Sequence, residues 1–256
     1  MNKDYLLGHW YAYIYDQNEV GLAEVERILS YLGNEPKRIL EVACGTGRIS
    51  IPLAQAGHNV TGFDIDEHTI ARITKKVGTL PNLNCFKADA LVDDWGCSFD
   101  AVILAGTVLH NIVTDGDYAQ AQELFIKKAA SCVKPGGHMF INFDCIGEEG
   151  FGEEGFGEQK GDVRVIFEGT DDLGTHGKYI AIGGEYDKET RISRDSRRYE
   201  IIPKDGEKFV VERPIQKHFP SYEMVTSWLN KYGWTIERQN PASKNTFHAE
   251  IWAKKQ

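Results

Sequence analysis

The chain has 256 residues, of which 41% are hydrophobic and 26% are charged, and its formal net charge at pH 7 is −9. These proportions are typical of a globular protein and exclude a chain that is mainly disordered. No membrane span is predicted, because the sequence has no run of about eighteen apolar residues, and an acidic chain repels a nucleic-acid backbone. We therefore expect a soluble, unexported protein, a monomer or a homodimer, and the acidic charge disfavours nucleic acid as a partner.

The cysteine pattern indicates the compartment and excludes some metal sites. The chain has five cysteines, Cys44, Cys85, Cys97, Cys132 and Cys145, an odd number without a C-x-x-C pair. Neither a disulfide framework nor a zinc site is predicted from this pattern, and no metal is expected. A reducing, cytoplasmic environment fits the pattern best.

Helices and strands alternate in the first part of the chain. Apolar residues at helical spacing predict helices over residues 21–32, 48–56, 67–77 and 118–133. Short apolar runs predict strands over residues 38–42, 59–63, 83–87, 100–104 and 138–143. This alternation is typical of an α/β fold with a parallel sheet, in which ligands bind beyond the carboxyl ends of the strands.

The pattern changes after residue 143. The pentapeptide GEEGF occurs twice within residues 147–159, which predicts an acidic, glycine-rich loop. Alternating runs then predict antiparallel strands, and a helix capped by Ser221 precedes two closing strands. The predicted domains are a helical cap at 1–35, an α/β core at 36–146, the loop at 147–160, an antiparallel insert at 161–219 and a closing segment at 220–256.

A glycine-rich turn, EVACGTGR, joins the first predicted strand to a helix at residues 41–48. Glycines have no Cβ and let a ligand approach the backbone, while the free N–H groups of the following helix suit a carboxylate or a phosphate. Dinucleotide-binding turns carry a third glycine three residues later, where this chain has Ser50, which argues against NAD without excluding it. Asp64 ends the second strand, where a carboxylate binds ribose hydroxyls in either kind of nucleotide site.

Five segments extend this interpretation: the turn EVACGTGR, GFDID with Asp64, KADA with Asp89, FDAVILAG and VKPGG. In this order and spacing they resemble the class I S-adenosylmethionine-dependent methyltransferases. The resemblance implies a Rossmann-like, doubly wound, mostly parallel seven-stranded sheet with an antiparallel β insert after the fifth strand. It also implies S-adenosylmethionine as the cofactor, S-adenosylhomocysteine as its product, and a small-molecule substrate.

The resemblance implies cofactor contacts at individual residues. Arg48 would pair with the cofactor carboxylate, Asp64 would hold the ribose, and Ile65 would lie against the adenine. Asp89 and Ala90 would bind the adenine edge. The full set of predicted cofactor residues is Tyr15, Glu41, Ala43, Gly45, Thr46, Gly47, Arg48, Asp64, Ile65, Asp89, Ala90, Ala105 and Gly106.

Candidate substrate contacts lie outside the glycine turn. The antiparallel insert resembles the lids of small-molecule methyltransferases, and a structural extension or an oligomer interface is the alternative interpretation. Tyr11 is a candidate substrate contact and Tyr15 a candidate cofactor contact, although aromatic clusters are also common in ordinary packing. A hydroxyl acceptor must lose a proton, so His110 and His218 are the candidate catalytic bases and substrate contacts.

Several activities remain open from the sequence. The segment after the fourth strand, AGTV at residues 105–108, differs from the Asn/Asp-Pro-Pro-aromatic segment of enzymes that methylate the amino groups of bases. Methyl transfer to the nitrogen or oxygen of a small molecule is therefore the first hypothesis. The alternatives are an RNA-modifying methyltransferase, an NAD-dependent oxidoreductase, and a protein that binds the cofactor without transferring a methyl group.

Overall fold

The structure is a computed structural model that describes residues 2–145, 161–241 and 247–256. The predicted acidic loop at 147–159 lies outside the described residues. The chain divides into two compact units, which we name the antiparallel unit, with described residues 2–20 and 161–217, and the core unit, with the remaining described residues. None of the described helices is long and apolar enough to cross a membrane.

Strands and helices are labelled in chain order. The strands are β1 (Arg38–Val42), β2 (Asn59–Asp64), β3 (Leu83–Lys87), β4 (Phe99–Leu104), β5 (Val133–Asp144), β6 (Val163–Thr170), β7 (His176–Asp187), β8 (Ile192–Ile202), β9 (Phe209–His218), β10 (Trp234–Asn240) and β11 (His248–Lys255). The helices are α1 (Lys3–Asn18), α2 (Ala23–Leu32), α3 (Ser50–Gln55), α4 (Glu67–Val77), α5 (Tyr118–Cys132) and α6 (Tyr222–Lys231), with a 3₁₀ helix at Val108–Asn111.

The core unit is built on a seven-stranded sheet with the strand order β10-β11-β5-β4-β1-β2-β3. Strands β3, β2, β1, β4 and β5 pair in parallel, while β11 is antiparallel to both β5 and β10. The predicted Rossmann-like, mostly parallel sheet is therefore confirmed. Because β1 has β2 on one side and β4 on the other, the chain direction across the sheet reverses there, which is where such folds bind ligands.

Helices cover the sheet on both faces, so its central strands are apolar on both sides. In β1, Ile39 packs in a cluster with residues of α2 and α3, whereas Leu40 packs in a second cluster with residues of α5 and α6. Both side chains are fully buried. This two-sided burial explains why the strands are continuous apolar runs in the sequence.

Some element ends differ from the sequence prediction. The helix predicted from residue 48 begins at Ser50, because the preceding residues complete the glycine turn. Strand β5 begins at Val133 and not at the predicted residue 138, so the segment VKPGG lies within the strand, where the pairing with β4 shifts register between Phe99 and Ala101. Helix α6 has the predicted cap, since Ser221 Oγ accepts a hydrogen bond of 3.1 Å from the N–H of Met224.

The antiparallel unit consists of a four-stranded sheet, β6-β7-β8-β9, and helix α1. Helix α1 approaches the sheet closely at Trp10, whose indole N–H donates to the carbonyl of Gly169 over 2.9 Å. A Cβ placed on Gly177 of β7 would lie 2.5 Å from the Trp10 ring, so glycine is needed at this contact. The predicted cap at 1–35 thus divides between the units, with α1 in one and α2 in the other.

Candidate active site at the carboxyl ends of the strands

The glycine turn after β1 has three residues in the left-handed region of backbone conformation. These are Ala43 (φ 58°), Gly45 (φ 53°) and Gly47 (φ 80°). A Cβ on Gly45 would meet no atom within 4 Å, so a glycine is favoured here by its positive φ and not by crowding. The space beside the turn is open. Ala43 adopts a conformation that is costly for a residue with a side chain, and such strain is concentrated at functional sites.

Asp64, the last residue of β2, is joined to the glycine turn. Its Oδ2 accepts a hydrogen bond of 2.9 Å from the N–H of Gly45, and its Oδ1 accepts one of 3.0 Å from the N–H of Asp66. Burial raises the pKa of the Asp64 carboxyl. The next residue, Ile65, is 62% exposed. An acceptor for hydroxyl groups and an apolar surface for a planar ring therefore stand side by side after β2.

Glu41 lies beneath the turn and is almost fully buried. It accepts a hydrogen bond from the hydroxyl of Ser50 at the start of α3. Burial raises the pKa of Glu41 to about 8, although the hydrogen bond from Ser50 and the charge of Arg48 act in the opposite direction. Through the contact with Ser50, Glu41 braces the first turn of α3 against β1.

Arg48 ends the turn and is already paired within the core unit. Its guanidinium donates to Glu24 Oε2 over 2.6 Å and to the carbonyl of Gly21 over 3.0 Å. The other oxygen of Glu24 accepts from the N–H of Gly106 at 3.4 Å and from the side-chain amide of Asn142. Glu24 thus ties α2 to the turn, to the loop after β4 and to β5.

The loop after β3 contains the predicted adenine contacts. Asp89 is half-buried, and its Oδ1 accepts a hydrogen bond of 2.8 Å from the N–H of Leu91, which is two residues further on. The carbonyl of Ala90 accepts from Trp95 Nε1 at 3.0 Å and from Lys128 Nζ at 2.8 Å. These contacts fix the loop that follows β3 at the same edge of the sheet as Asp64.

The loop after β4 leads to His110. Ala105 is buried, and Gly106 and Thr107 both have positive φ values, of 65° and 55°. The N–H of Thr107 donates to Asn142 Oδ1 over 2.9 Å, which anchors this strained turn to β5. His110 lies in the 3₁₀ helix that follows, is 8% exposed, and has its Nε2 3.0 Å from Thr107 Oγ1.

His218 lies at the end of β9 and belongs to the core unit. Its Nδ1 is 2.8 Å from Gln122 Oε1, and the amide nitrogen of Gln122 donates to the carbonyls of His218 and Leu109. Since that nitrogen faces two carbonyls, the Gln122 oxygen must face His218 and accept from its Nδ1–H. His218 is thereby tied to the residue that precedes His110.

Tyr11 and Tyr15 lie in helix α1 of the antiparallel unit and pack among aromatic rings of its sheet. The Tyr11 ring contacts Tyr179 and Tyr199 with centroids 5.3 Å and 6.0 Å apart, and Tyr15 contacts Phe167 at 6.4 Å. Burial raises the pKa of Tyr11. Within this unit the two tyrosines are part of a packed cluster, and their roles toward cofactor and substrate stay predictions.

Several polar residues of the site were missed by sequence reasoning. Glu24, Asn142, Asp144 and His248 come from α2, β5 and β11, and no motif marks them. Thr46 of the predicted set is buried within the turn. In the part of the chain that the structure describes, no group of three or more histidine, cysteine or acidic side chains is arranged to hold a metal ion.

The fold and this site together define the class of protein. A mostly parallel sheet with a glycine turn after β1 and an acid after β2 is the arrangement expected of class I S-adenosylmethionine-dependent methyltransferases. Residues 39–137 match the family model of the methyltransferase domain. The resemblance found in the sequence is therefore confirmed for this part of the chain.

Individual proteins match parts of the chain. The Bacillus subtilis protein YqeM is 30% identical over 145 residues, which are 54% of this chain and 57% of that protein. A ubiquinone biosynthesis O-methyltransferase of Sinorhizobium fredii is 34% identical over 137 residues, 48% of this chain and 51% of that enzyme. The chain thus spans about half the length of the curated relatives it matches.

A solved structure matches nearly the whole chain. It is the S-adenosylmethionine-bound form of CalS10, an amino pentose methyltransferase from Micromonospora echinaspora. The match covers 96% of both chains with a TM-score of 0.65, at 15% sequence identity. At this identity the likeness shows the fold alone.

Proposed function

We propose that this protein is an S-adenosylmethionine-dependent methyltransferase whose acceptor is a nitrogen or an oxygen of a small molecule. The observation that carries the proposal is the hydrogen bond between Gly45 and Asp64, which makes the glycine turn and the acid after β2 one binding surface. The family match over residues 39–137 supports the same activity. A related O-methyltransferase of ubiquinone biosynthesis and the fold of an amino pentose methyltransferase support the acceptor class.

The residues present fit the chemical groups of this cofactor. Asp64 offers carboxylate oxygens to the ribose diol, and the exposed side chain of Ile65 offers an apolar surface to the adenine face. The space beside Gly45 admits the amino-acid part close to the backbone. Arg48 would meet the cofactor carboxylate while it stays paired with Glu24, so its charge would be shared between the two. Asp89 and Ala90 would bind the adenine edge.

When bound, the cofactor supplies a methyl group on a positively charged sulfur, and transfer is a direct displacement. The protein's work is therefore to hold the acceptor in line and to exclude water. An acceptor that must lose a proton also needs a base. His218 donates through Nδ1 to Gln122, so a neutral His218 has its lone pair on Nε2. His110 is the second candidate, and it lies closer to the strained loop after β4.

Calorimetric titration tests the cofactor part of the proposal. The wild-type protein is titrated with S-adenosylmethionine, S-adenosylhomocysteine and NAD, and the titrations are repeated with Asp64→Ala. We expect binding of the first two ligands and not of NAD, with the binding lost in the variant. Binding of NAD alone would replace the proposal by an oxidoreductase, and binding of none of them would remove it.

A transfer assay tests the acceptor part. The protein is incubated with S-adenosylmethionine labelled in its methyl group and with a panel of amino sugars, catechols and an unmodified transfer RNA. We expect label in an amino sugar or a catechol. Label in the RNA alone would support the RNA-modifying alternative. Binding of the cofactor without label in any acceptor, in a panel extended to other small amines and phenols, would support a binding protein that has lost transfer.

A further inference from the structure

We propose that Asp144 is a positioning residue for His110, and that it keeps the hydrogen of the His110 imidazole on Nδ1 so that Nε2 carries the lone pair. The contacts of Asp144 with His110 and His248 are seen in the structure, whereas their importance for turnover rests on the proposed methyltransferase function. His248 holds the other oxygen of the same carboxylate. None of these roles follows from a motif in the sequence.

Two imidazoles share the Asp144 carboxylate, one on each oxygen. Asp144 is the last residue of β5 and is 6% exposed. Its Oδ1 lies 2.9 Å from Nδ1 of His248, which is its direct partner on the neighbouring strand β11. Its Oδ2 lies 3.5 Å from Nδ1 of His110 in the 3₁₀ helix after β4. The carboxylate thus joins the loop after β4 to the edge formed by β5 and β11.

An ionised carboxylate accepts hydrogen bonds and cannot donate them. His248 Nδ1 forms such a hydrogen bond, whereas His110 Nδ1, at 3.5 Å, makes a longer electrostatic contact that favours a hydrogen on the nitrogen facing the carboxylate. In a neutral imidazole the other nitrogen is then the base. For His110 this leaves Nε2, which faces Thr107 Oγ1 at 3.0 Å. The Thr107 hydroxyl donates to the carbonyl of Gly106 over 2.7 Å, so the proposed tautomer requires this hydroxyl to turn and donate to Nε2 of His110.

Neighbouring side chains place a basic group beside Asp144 and pack against His110. The hydrogen bond that His248 donates to Asp144 raises the pKa of His248, which favours a positive charge beside the carboxylate. Glu250 lies 3.7 Å from Nε2 of His248 and is itself paired with Arg27 of α2. The ring of Phe219 packs against His110 with centroids 5.2 Å apart and limits its rotation.

The same carboxylate would stabilise His110 after it has taken a proton. A positively charged His110, with Nδ1 3.5 Å from a carboxylate oxygen of Asp144, gains charge stabilisation because both side chains are buried and screening by water is weak there. The arrangement follows the general logic in which a buried acid orients a histidine base without taking up the proton itself. The proton enters at Nε2, on the side of Thr107.

The alternative is that Asp144 only stabilises the edge of the sheet by holding His248. Spectroscopy of the histidine ring separates the two roles, because a merely structural role sets no tautomer at His110. We would label the histidines with ¹⁵N and record two-bond ¹H–¹⁵N correlation spectra, using His110→Gln to assign the His110 signals. The spectra are read at a pH where His110 is neutral.

We expect Nδ1 of His110 to be protonated and Nε2 to be unprotonated in the wild-type protein. In Asp144→Asn the amide nitrogen must face one of the two imidazoles, and the shorter contact with His248 should keep the oxygen, so His110 should change to the Nε2–H form. Asp144→Leu, which offers no acceptor to either imidazole, is measured alongside. An Nε2–H form in the wild-type protein, or an unchanged His110 signal in both variants, would overturn the proposal.

A kinetic measurement ties the tautomer to turnover. With an acceptor from the transfer assay, Asp144→Asn should lower kcat at least tenfold and leave the calorimetric affinity for S-adenosylmethionine within twofold. The matched control is Asp100→Asn, the same change at the start of β4, where the carboxylate pairs with Lys134. An equal kcat loss in the control would assign the effect to general destabilisation and overturn the role in turnover. Failure of the wild-type protein to bind the cofactor would instead reject the proposed function and leave the tautomer result standing.

Discussion

The backbone N–H of Gly45 donates a hydrogen bond of 2.9 Å to Oδ2 of Asp64, so the turn after β1 and the end of β2 are held together by one carboxylate. Asp64 also accepts from the N–H of Asp66 through its other oxygen. Both hydrogen bonds lower the pKa of the carboxyl, but burial outweighs them and the pKa is raised. The residue that is expected to bind the ribose therefore also sets the shape of the glycine turn.

Replacing Asp64 by asparagine should weaken cofactor binding while the protein stays folded. The carboxylate of Asp64 accepts one backbone hydrogen bond on each oxygen, from Gly45 and from Asp66. In the variant one of these oxygens becomes an NH2 group, which cannot accept a hydrogen bond. Hydrogen bonds to charged groups contribute about 1.5–3 kcal/mol, so we expect the affinity for S-adenosylmethionine and S-adenosylhomocysteine to fall about tenfold or more. Calorimetric titration measures both affinities.

The control for this change is Asp66→Asn, two residues further along the chain. Asp66 caps α4 by accepting from the N–H of His68, and asparagine caps helices about as well as aspartate. This variant should bind the cofactor like the wild-type protein. Equal affinity in the wild-type protein and in Asp64→Asn would contradict the role of Asp64 at the ribose.

Arg48 is expected to bind the carboxylate of the cofactor's amino-acid part. If its guanidinium meets the cofactor carboxylate, Arg48→Gln should weaken binding of S-adenosylmethionine but not of methylthioadenosine, which has no amino-acid carboxylate. We expect a loss of about fivefold to tenfold for the first ligand, because Glu24 already holds part of the charge. Arg38→Gln, at the exposed amino end of β1, serves as the charge-matched control. An equal loss for both ligands would show that Arg48 supports the turn and does not bind the carboxylate.

The bounds of β1 to β4 could be predicted from the sequence to within one residue, whereas β5 begins five residues before its predicted start. The bounds of β1 and β3 agree with the predicted residues 38–42 and 83–87. Strand β1 is a short, mainly apolar run because it is buried on both faces of the sheet. The glycine turn and Asp64 could also be predicted, because they are local features that follow directly from strand ends.

The polar contacts around the loop after β4 could not be predicted. Glu24 lies in the first turn of α2, where an acid is ordinarily a solvated residue, yet it is 9% exposed and bonds to Asn142, which is 118 positions away in the chain. Asp144 and His248 meet only because β5 and β11 pair. Such contacts depend on strand order and register, which spacing within one segment does not contain.

The buried carboxyl of Glu41 should make the free energy of unfolding depend on pH. Burial raises its pKa to about 8, whereas a glutamate in an unfolded chain has a pKa of about 4.3. The folded protein thus binds this proton more tightly than the unfolded chain. Its contribution to the free energy of unfolding is fully present below about pH 4 and is lost as the pH rises to about 8, by at most about 1.4 kcal/mol per pH unit.

The variant Glu41→Gln should remove this dependence, since glutamine cannot ionise and its oxygen can still accept from Ser50. Urea unfolding of both proteins at about pH 5, 7 and 9 gives the free energies of unfolding. We expect the free energy of unfolding of the variant to rise relative to that of the wild type as the pH rises. The change Glu35→Gln at an exposed position should give a constant difference. A constant difference for Glu41→Gln as well would mean that this carboxyl is ionised in the folded protein.

Gly62 lies in β2 and packs tightly against Cys44 and Cys85. A Cβ on Gly62 would lie 3.0 Å from the sulfur atoms of both Cys44 and Cys85, closer than such contacts normally come. Gly62→Ala should therefore lower the free energy of unfolding by about 1–3 kcal/mol, the cost of inserting a methyl group into a filled core. Chemical unfolding measures this loss. Gly21→Ala, where a Cβ would meet no atom within 4 Å, is the control and should change stability little.

A double variant shows whether the sulfur atoms cause the loss. In Gly62→Ala with Cys85→Ala, one of the two sulfurs that the new methyl group would meet is gone. The double variant should then lose less stability than the sum of the losses in the two single variants. We expect this difference, the interaction free energy, to be about 0.5 kcal/mol or more. Strictly additive effects would show that the strain of Gly62→Ala lies elsewhere in β2, and that the close approach of Cys85 does not determine the need for glycine.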